Sequence, residues 1–206
     1  MKITVDTSQL NVASEKMNAF INEYQQFKRV LDAHKRIAYL PIVAENKLTF
    51  STDSKIGGIP YLRSTDDWPM CPSCGNHQDL FLQLNLKDVP EQNEEGIVQL
   101  FYCTSDNQVC QDNYKPFSKH KTVRNIQVIG EPVKVRPNTD TVFQEKLIVS
   151  WQSFYEYPHF EEYARLNIEP VSDGMLDTLH TYELSLPSKK DKLFGWPYWI
   201  QGVEYP

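Results

Sequence analysis

Apolar residues recur at three- and four-residue steps along the first part of the chain: Met17, Phe20, Ile21, Tyr24, Phe27, Leu31 and Ala38. That spacing lays one apolar stripe on a helix and predicts a helix over residues 14–38. Ser14 reads as its N-cap, and Glu15 falls in the first turn, where the helix dipole favours negative charge. The stripe is expected to pack on a sheet. Beyond it the period falls to two. IAYLPIV (37–43) and KLTFS (47–51) read as strands, with Pro41 marking an edge or a bulge. LFLQLNL (80–86) alternates, placing Leu80, Leu82, Leu84 and Leu86 on one face and Phe81, Gln83 and Asn85 on the other. GIVQLFYC (96–103) alternates again, Val98, Leu100 and Tyr102 against Ile97, Gln99 and Phe101. TVRNIQVI (122–129) and EKLIVSWQSFYE (145–156) are further strands, and residues 160–166 and 173–184 read as short helices. The class this predicts is α+β, an N-terminal helix packed on mainly antiparallel sheets. The regular strand–helix alternation of a doubly wound sheet is absent.

Two stretches repeat. SKIGGIPYLRSTDDWP (54–69) aligns without gaps on DKLFGWPYWIQGVEYP (191–206), at an offset of 137 residues. Lys55 meets Lys192, Gly58 meets Gly195, Pro60 meets Pro197 and Tyr61 meets Tyr198. Trp68-Pro69 meets Tyr205-Pro206. A Gly-x-Pro turn recurs by chance, but one that keeps its lysine and its aromatic-proline end points to an internal duplication with pseudo-twofold symmetry. The chain then reads as a single domain, 1–206, with a first half of about 1–130 and a second of about 131–206.

Composition narrows the partners. The net charge is −6 over 206 residues, which argues against a nucleic-acid partner. The one basic cluster, Lys115–Arg124, reads as a solvated strand or loop edge. Nothing approaches the roughly 18 consecutive apolar residues of a spanning helix. The start, MKITVDTSQLN, lacks the apolar core of a signal peptide, so a cytoplasmic protein is expected.

The sharpest chemistry lies in four cysteines. Cys71 and Cys74 form a Cys-x2-Cys pair in CPSCGNH, and Cys103 and Cys110 a looser Cys-x6-Cys pair. Zinc takes four soft ligands in a tetrahedron, and a Cys-x2-Cys knuckle supplies two thiolates from one tight turn. Gly75 falls where such a turn needs positive φ. If 80–86 and 96–103 pair as a hairpin, the start of one strand sits beside the end of the other, bringing Cys74 near Cys103. Structural zinc on Cys71, Cys74, Cys103 and Cys110, clamping a hairpin, is the expectation. Two disulfides lack a secretory signal to support them. A thiol–disulfide oxidoreductase using Cys71 and Cys74 is the rival, although the motif leads into an alternating strand and not into the helix that lowers a catalytic thiol's pKa. Four unpaired buried thiols are the remaining possibility. His77 and Asp106 are spare ligands.

A four-cysteine site leaves no open position for water, so it serves as scaffold. No Gly-x-Ser-x-Gly, His-Glu-x-x-His or phosphate-cradling glycine loop occurs. The five histidines are scattered, and Glu161-Glu162 reads as a solvated face. A non-catalytic module that recognises a protein partner is therefore expected. Its anchors would come from Trp68-Pro69, Tyr155–Pro158 and Trp196–Tyr198, the alternative being that these aromatics close the core.

SKIGGIPYL, WP, LFLQLNLKDVP, GIVQLFYC and KLFGWPYWIQ, in that order from residue 54 to the end, together resemble the YwqG-like family of bacterial proteins of unknown function. The resemblance implies an α+β fold with internal pseudo-twofold symmetry and no assigned reaction. It also implies bacterial roles such as toxin immunity or assistance to a partner. It further implies a second sheet after the second Gly-x-Pro segment, where this sequence stops at Pro206, so the second half reads as incomplete. The cysteine pairs resemble those of the programmed cell death protein 2 family, which implies a zinc knuckle and a chaperone-like role toward partner proteins.

Overall fold

The computed structural model describes residues 7–45, 51–115, 117–133, 143–169, 172, 174–175, 177, 187–200 and 202–203. It divides into two compact units, residues 1–40 with 153–206, and residues 41–152. Strands β1 (Arg36–Glu45) and β6 (Lys146–Glu156) each contribute residues to both.

The first unit opens with helix α1 (Thr7–Asp32), which starts earlier and ends earlier than the predicted span of 14–38. Ser14 and Glu15 therefore lie within it and not at its first turn. It closes because the amides of Ala33 and His34 bond back to the carbonyls of Val30 and Leu31, a tightened last turn. Ala38, the last member of the apolar stripe, belongs to β1 and is fully buried there. Of the rest of the stripe, Met17 and Ile21 are exposed, and its buried part packs on residues between 163 and 175 and not on the sheet expected. Phe27 and Leu31 are buried in a cluster with Tyr163, Ile168 and Met175, flanked by Phe20 and Tyr24. Removing each such side chain from water contributes about 1.5–3 kcal/mol. The ring of Phe27 meets Tyr163 edge-on at 5.7 Å. Tyr163 opens the short helix α2 (Tyr163–Leu166), which ends on Asn167 in the left-handed region. The predicted helix over 173–184 lies largely outside the described residues, as does most of the predicted strand 47–51.

Within residues 41–152 the strands follow the order β5-β4-β3-β2-β6, all antiparallel neighbours where their registers are fixed. Here β2 is Lys55–Ile56, β3 is Asp79–Asn85, β4 is Ile97–Tyr102 and β5 is Lys121–Ile126. The predicted hairpin is present: β3 and β4 pair from Asp79↔Tyr102 to Asn85↔Ile97, with a shift in register between Leu80 and Leu82. That irregularity breaks the clean alternation expected for 80–86. Gln83 is buried and Leu82 only half-buried. Gln83 is tolerated because its amide is satisfied. Its oxygen accepts the Tyr61 amide and Gln99 Nε2, each at 2.8 Å, and its nitrogen donates to the carbonyls of Ser51 and Asp53. The equally buried Gln99 carries the chain of bonds on to Arg124 Nε at 2.8 Å.

The two aligned segments have the same local construction. In residues 41–152, Lys55 Nζ lies 3.1 Å from Glu145 Oε2, and the same oxygen accepts the Ile59 amide at 3.5 Å. In the other unit, Lys192 Nζ lies 2.6 Å from Glu156 Oε1, and Glu156 Oε2 accepts the Trp196 amide at 3.0 Å. Gly58 and Gly195 have φ of +76° and +69°, and a Cβ on either would strike the partner carboxylate. Each short strand that follows such a lysine, Ile56 in β2 or Leu193 in β7 (Leu193–Phe194), pairs antiparallel with a longer one. Glu145 directly precedes β6 and Glu156 ends it. A buried lysine, a carboxylate at one end of β6 and a glycine pressed against it thus occur once in each unit.

Candidate metal centre

The CPSCGNH segment folds as a knuckle because its backbone closes on itself. Cys71 N donates to Asn76 O at 2.8 Å, Gly75 N to Cys71 O at 2.9 Å, and Gln78 N to Pro69 O at 2.9 Å. Gly75 takes φ of +72°, the left-handed turn expected of it. Cys103 follows β4 directly, and its amide donates to His120 O at 2.9 Å, extending the β4–β5 ladder by one step. Cys110 lies in a 3-10 segment, Gln108–Tyr114, capped by the Asn107 side chain on the Val109 amide. The Asn113 side chain ties that segment back to Cys103 O at 2.9 Å.

These elements bring all four predicted cysteines together. Their sulfurs lie within 4.8 Å of one another. Cys71–Cys110 and Cys74–Cys103 are each 3.7 Å apart and Cys103–Cys110 3.6 Å. A disulfide needs about 2.05 Å, and all four cysteines are free. Four sulfurs set about 2.3 Å from a zinc ion would form a tetrahedron with edges of about 3.8 Å, so the spacing fits such an ion. Cys71, Cys103 and Cys110 are buried and Cys74 is partly exposed, leaving the cluster shut on most sides.

The spare ligands expected at His77 and Asp106 are not in the cluster. The residue that sequence reading missed is His120, buried, with Nδ1 3.3 Å from Cys71 Sγ. No local motif marks it. It reaches the cluster because the β4–β5 register sets it opposite Cys103, a relationship visible only once the two strands are paired. Burial disfavours the Cys71 thiolate, but the bonds from His120 and from the Cys74 and Ser73 amides outweigh it and bring the thiol down to about 6. Burial pushes Cys110 up to about 11, and raises Cys103 further still. One sulfur is thus prepared as an anion while those of Cys103 and Cys110 hold their protons until something positive replaces them.

Other expectations change. Glu162 is not on a solvated face: it is fully buried, accepting the Trp199 indole at 2.7 Å and Arg165 Nε at 2.9 Å. Trp68 and Trp196 are not exposed anchors. The indole of Trp68 donates to Gln78 O and that of Trp196 to His34 O, each at 2.8 Å, and both rings are buried. Of the expected anchors Tyr155 is exposed.

No helix among the described residues is long and apolar enough to cross a membrane. No curated protein matches the chain. A family model does, over residues 54–205, from the first lysine–glycine segment through the cysteine cluster to the second. The chain belongs to the family described as a domain of unknown function, DUF1963.

Proposed function

We propose that this protein is a non-catalytic binding module in which Cys71, Cys74, Cys103 and Cys110 hold a structural zinc ion, and that it acts by docking a protein partner. The observation that carries the reading is the sulfur cluster itself. Three of its sulfur pairs lie 3.6–3.7 Å apart and all lie within 4.8 Å, which suits a tetrahedral ion. Four ligands fill the coordination shell, so the ion's contribution is to folding and not to bond making. The hydrogen bonds from His120 and the knuckle amides offset the excess negative charge of four thiolates around a dication, as second-shell donors do. The matching lysine–carboxylate–glycine arrangements support reading the two segments as copies of one ancestral half. An immunity or chaperone-like role in a bacterial cytoplasm is what the resemblance read from the sequence motifs implies.

The test is metal content together with thiol titration on protein purified without chelator. One zinc per chain, no visible thiolate-to-iron colour, and four thiols released only on denaturation or chelation support the reading. A metal-free protein with freely reacting thiols overturns it. The low pKa of Cys71 favours the rival oxidoreductase reading, which predicts a fast-reacting Cys71 and no metal. Against that reading, Cys71 is only 1% exposed, out of reach of a protein disulfide.

A further inference from the structure

Strand β5 stands at one end of the strand order, paired with β4 on one side and with no described strand on the other. Its outer edge offers a row of backbone donors and acceptors to any extended segment that reaches it. The chain around it is chemically distinct. From Asn113 to Gly130 there is no Asp or Glu, whereas Lys115, Lys119, Lys121 and Arg124 all fall there, in a protein of net charge −6. Asp112 pairs with Lys115 at 2.8 Å, and Lys121 is fastened to the carbonyls of Tyr114 and Lys115, so the region keeps a net positive charge. The same stretch exposes Tyr114 (73%), Phe117 (80%) and Val123 (68%). Phe117 is held outward at φ of +55°, a conformation costly for an aromatic residue and found where something else repays it.

The cysteine cluster adjoins this stretch, and both Cys110 and His120 are held in it. Side chains beside such fixed points lose little freedom on binding.

We propose that the outer edge of β5, with the exposed side chains of Tyr114, Lys115, Phe117 and Lys119 beside it, forms the docking surface, and that the partner presents an acidic, extended peptide segment carrying an aromatic or aliphatic side chain. The segment adds as an antiparallel or parallel strand on β5, sets its carboxylates against Lys115 and Lys119, and rests its apolar side chain on Tyr114 and Phe117. This rests on the partner-docking reading above and names its surface. Lysines on a sheet edge also serve to keep copies from stacking. That role alone gives no reason for Phe117 and Val123 to be exposed beside them.

The experiment uses the full chain and a random copolymer of glutamate and tyrosine as probe, followed by amide resonances and by titration calorimetry at low and high salt. Binding that perturbs residues 114–126, weakens with salt, and falls at least tenfold in a Phe117→Ser, Lys119→Glu, Val123→Glu variant is the expected result. The variant leaves metal content and thiol count unchanged, so loss of binding is separated from loss of the cluster. Perturbation elsewhere, no binding at millimolar probe in low salt, or equal binding by the variant overturns the proposal. Tighter binding of an RNA homopolymer than of the copolymer at the same surface also overturns it, in favour of nucleic acid. Absence of metal from the wild-type protein counts instead against the zinc reading.

Discussion

Lys192 and Glu156 meet at 2.6 Å with side chains 8% and 1% exposed, and Lys55 with Glu145 repeats the pairing at 3.1 Å with side chains 0% and 1% exposed. Burial lowers the Lys55 pKa, and the Glu145 carboxylate offsets part of that shift. A pair so placed adds little net stability, but breaking it strands a buried charge. Glu156→Ala and Glu145→Ala are each expected to destabilise by about 3–5 kcal/mol in urea unfolding. Lys55→Met with Glu145→Leu restores most of that loss, short of the roughly 1–3 kcal/mol for the Ile59 amide left without its acceptor. Single substitutions costing less than 1 kcal/mol would show that water reaches the pair.

The glycines against these carboxylates provide a second, independent test. Gly58→Ala and Gly195→Ala place a methyl where the carboxylate stands, in addition to the left-handed backbone cost of about 1–2 kcal/mol. Gly75→Ala meets open space and carries the backbone cost alone. Thermal unfolding should therefore rank Gly75→Ala as the mildest. Equal losses at all three positions would contradict the geometry.

Removal of one ligand should have the same effect as removal of the ion. Cys103→Ser is expected to lose the bound metal, unfold at lower temperature than wild type and become insensitive to chelator. Wild-type protein treated with chelator should fall to the same level. A variant that still responds to chelator places the metal elsewhere.

In chelated, reduced protein, absorbance at 240 nm should show one thiolate appearing with a midpoint near pH 6, assigned to the cluster through Cys71. The sign follows from the shift: the folded thiol is depressed from 9.0 to about 6, so its contribution is full above pH 9 and is lost as pH falls through 6. His120→Ala removes the largest favourable cause and should raise the midpoint. An unchanged midpoint would remove His120 from the cluster's electrostatics.

Much of this was legible in the sequence because it rests on local rules. Alternation located β3 and β4, and the hairpin they make was enough to place Cys74 beside Cys103. What stayed hidden depends on registers and packing. The helix stripe ran on to Ala38 because a buried strand residue falls by coincidence on helical spacing. Glu162 looked solvated because its partner, Trp199, is distant in sequence. Nothing in the alternation marks Gln83 and Gln99 as buried, yet both are, bonded to each other and to the Tyr61 backbone. Trp68 and Trp196 looked like surface anchors, and only their carbonyl partners reveal them as core.

The β3–β4 hairpin is fastened at both ends. At one end the chain turns between Leu86 and Gly96, whose backbones bond at 2.9 Å. At the other, four sulfurs join the residue just after β4 to the knuckle just before β3. With an ion in the cluster the two strands become a closed ring, and a ring has no end from which to fray. Its amides can then exchange with solvent only through events large enough to release the ion or unfold the whole unit.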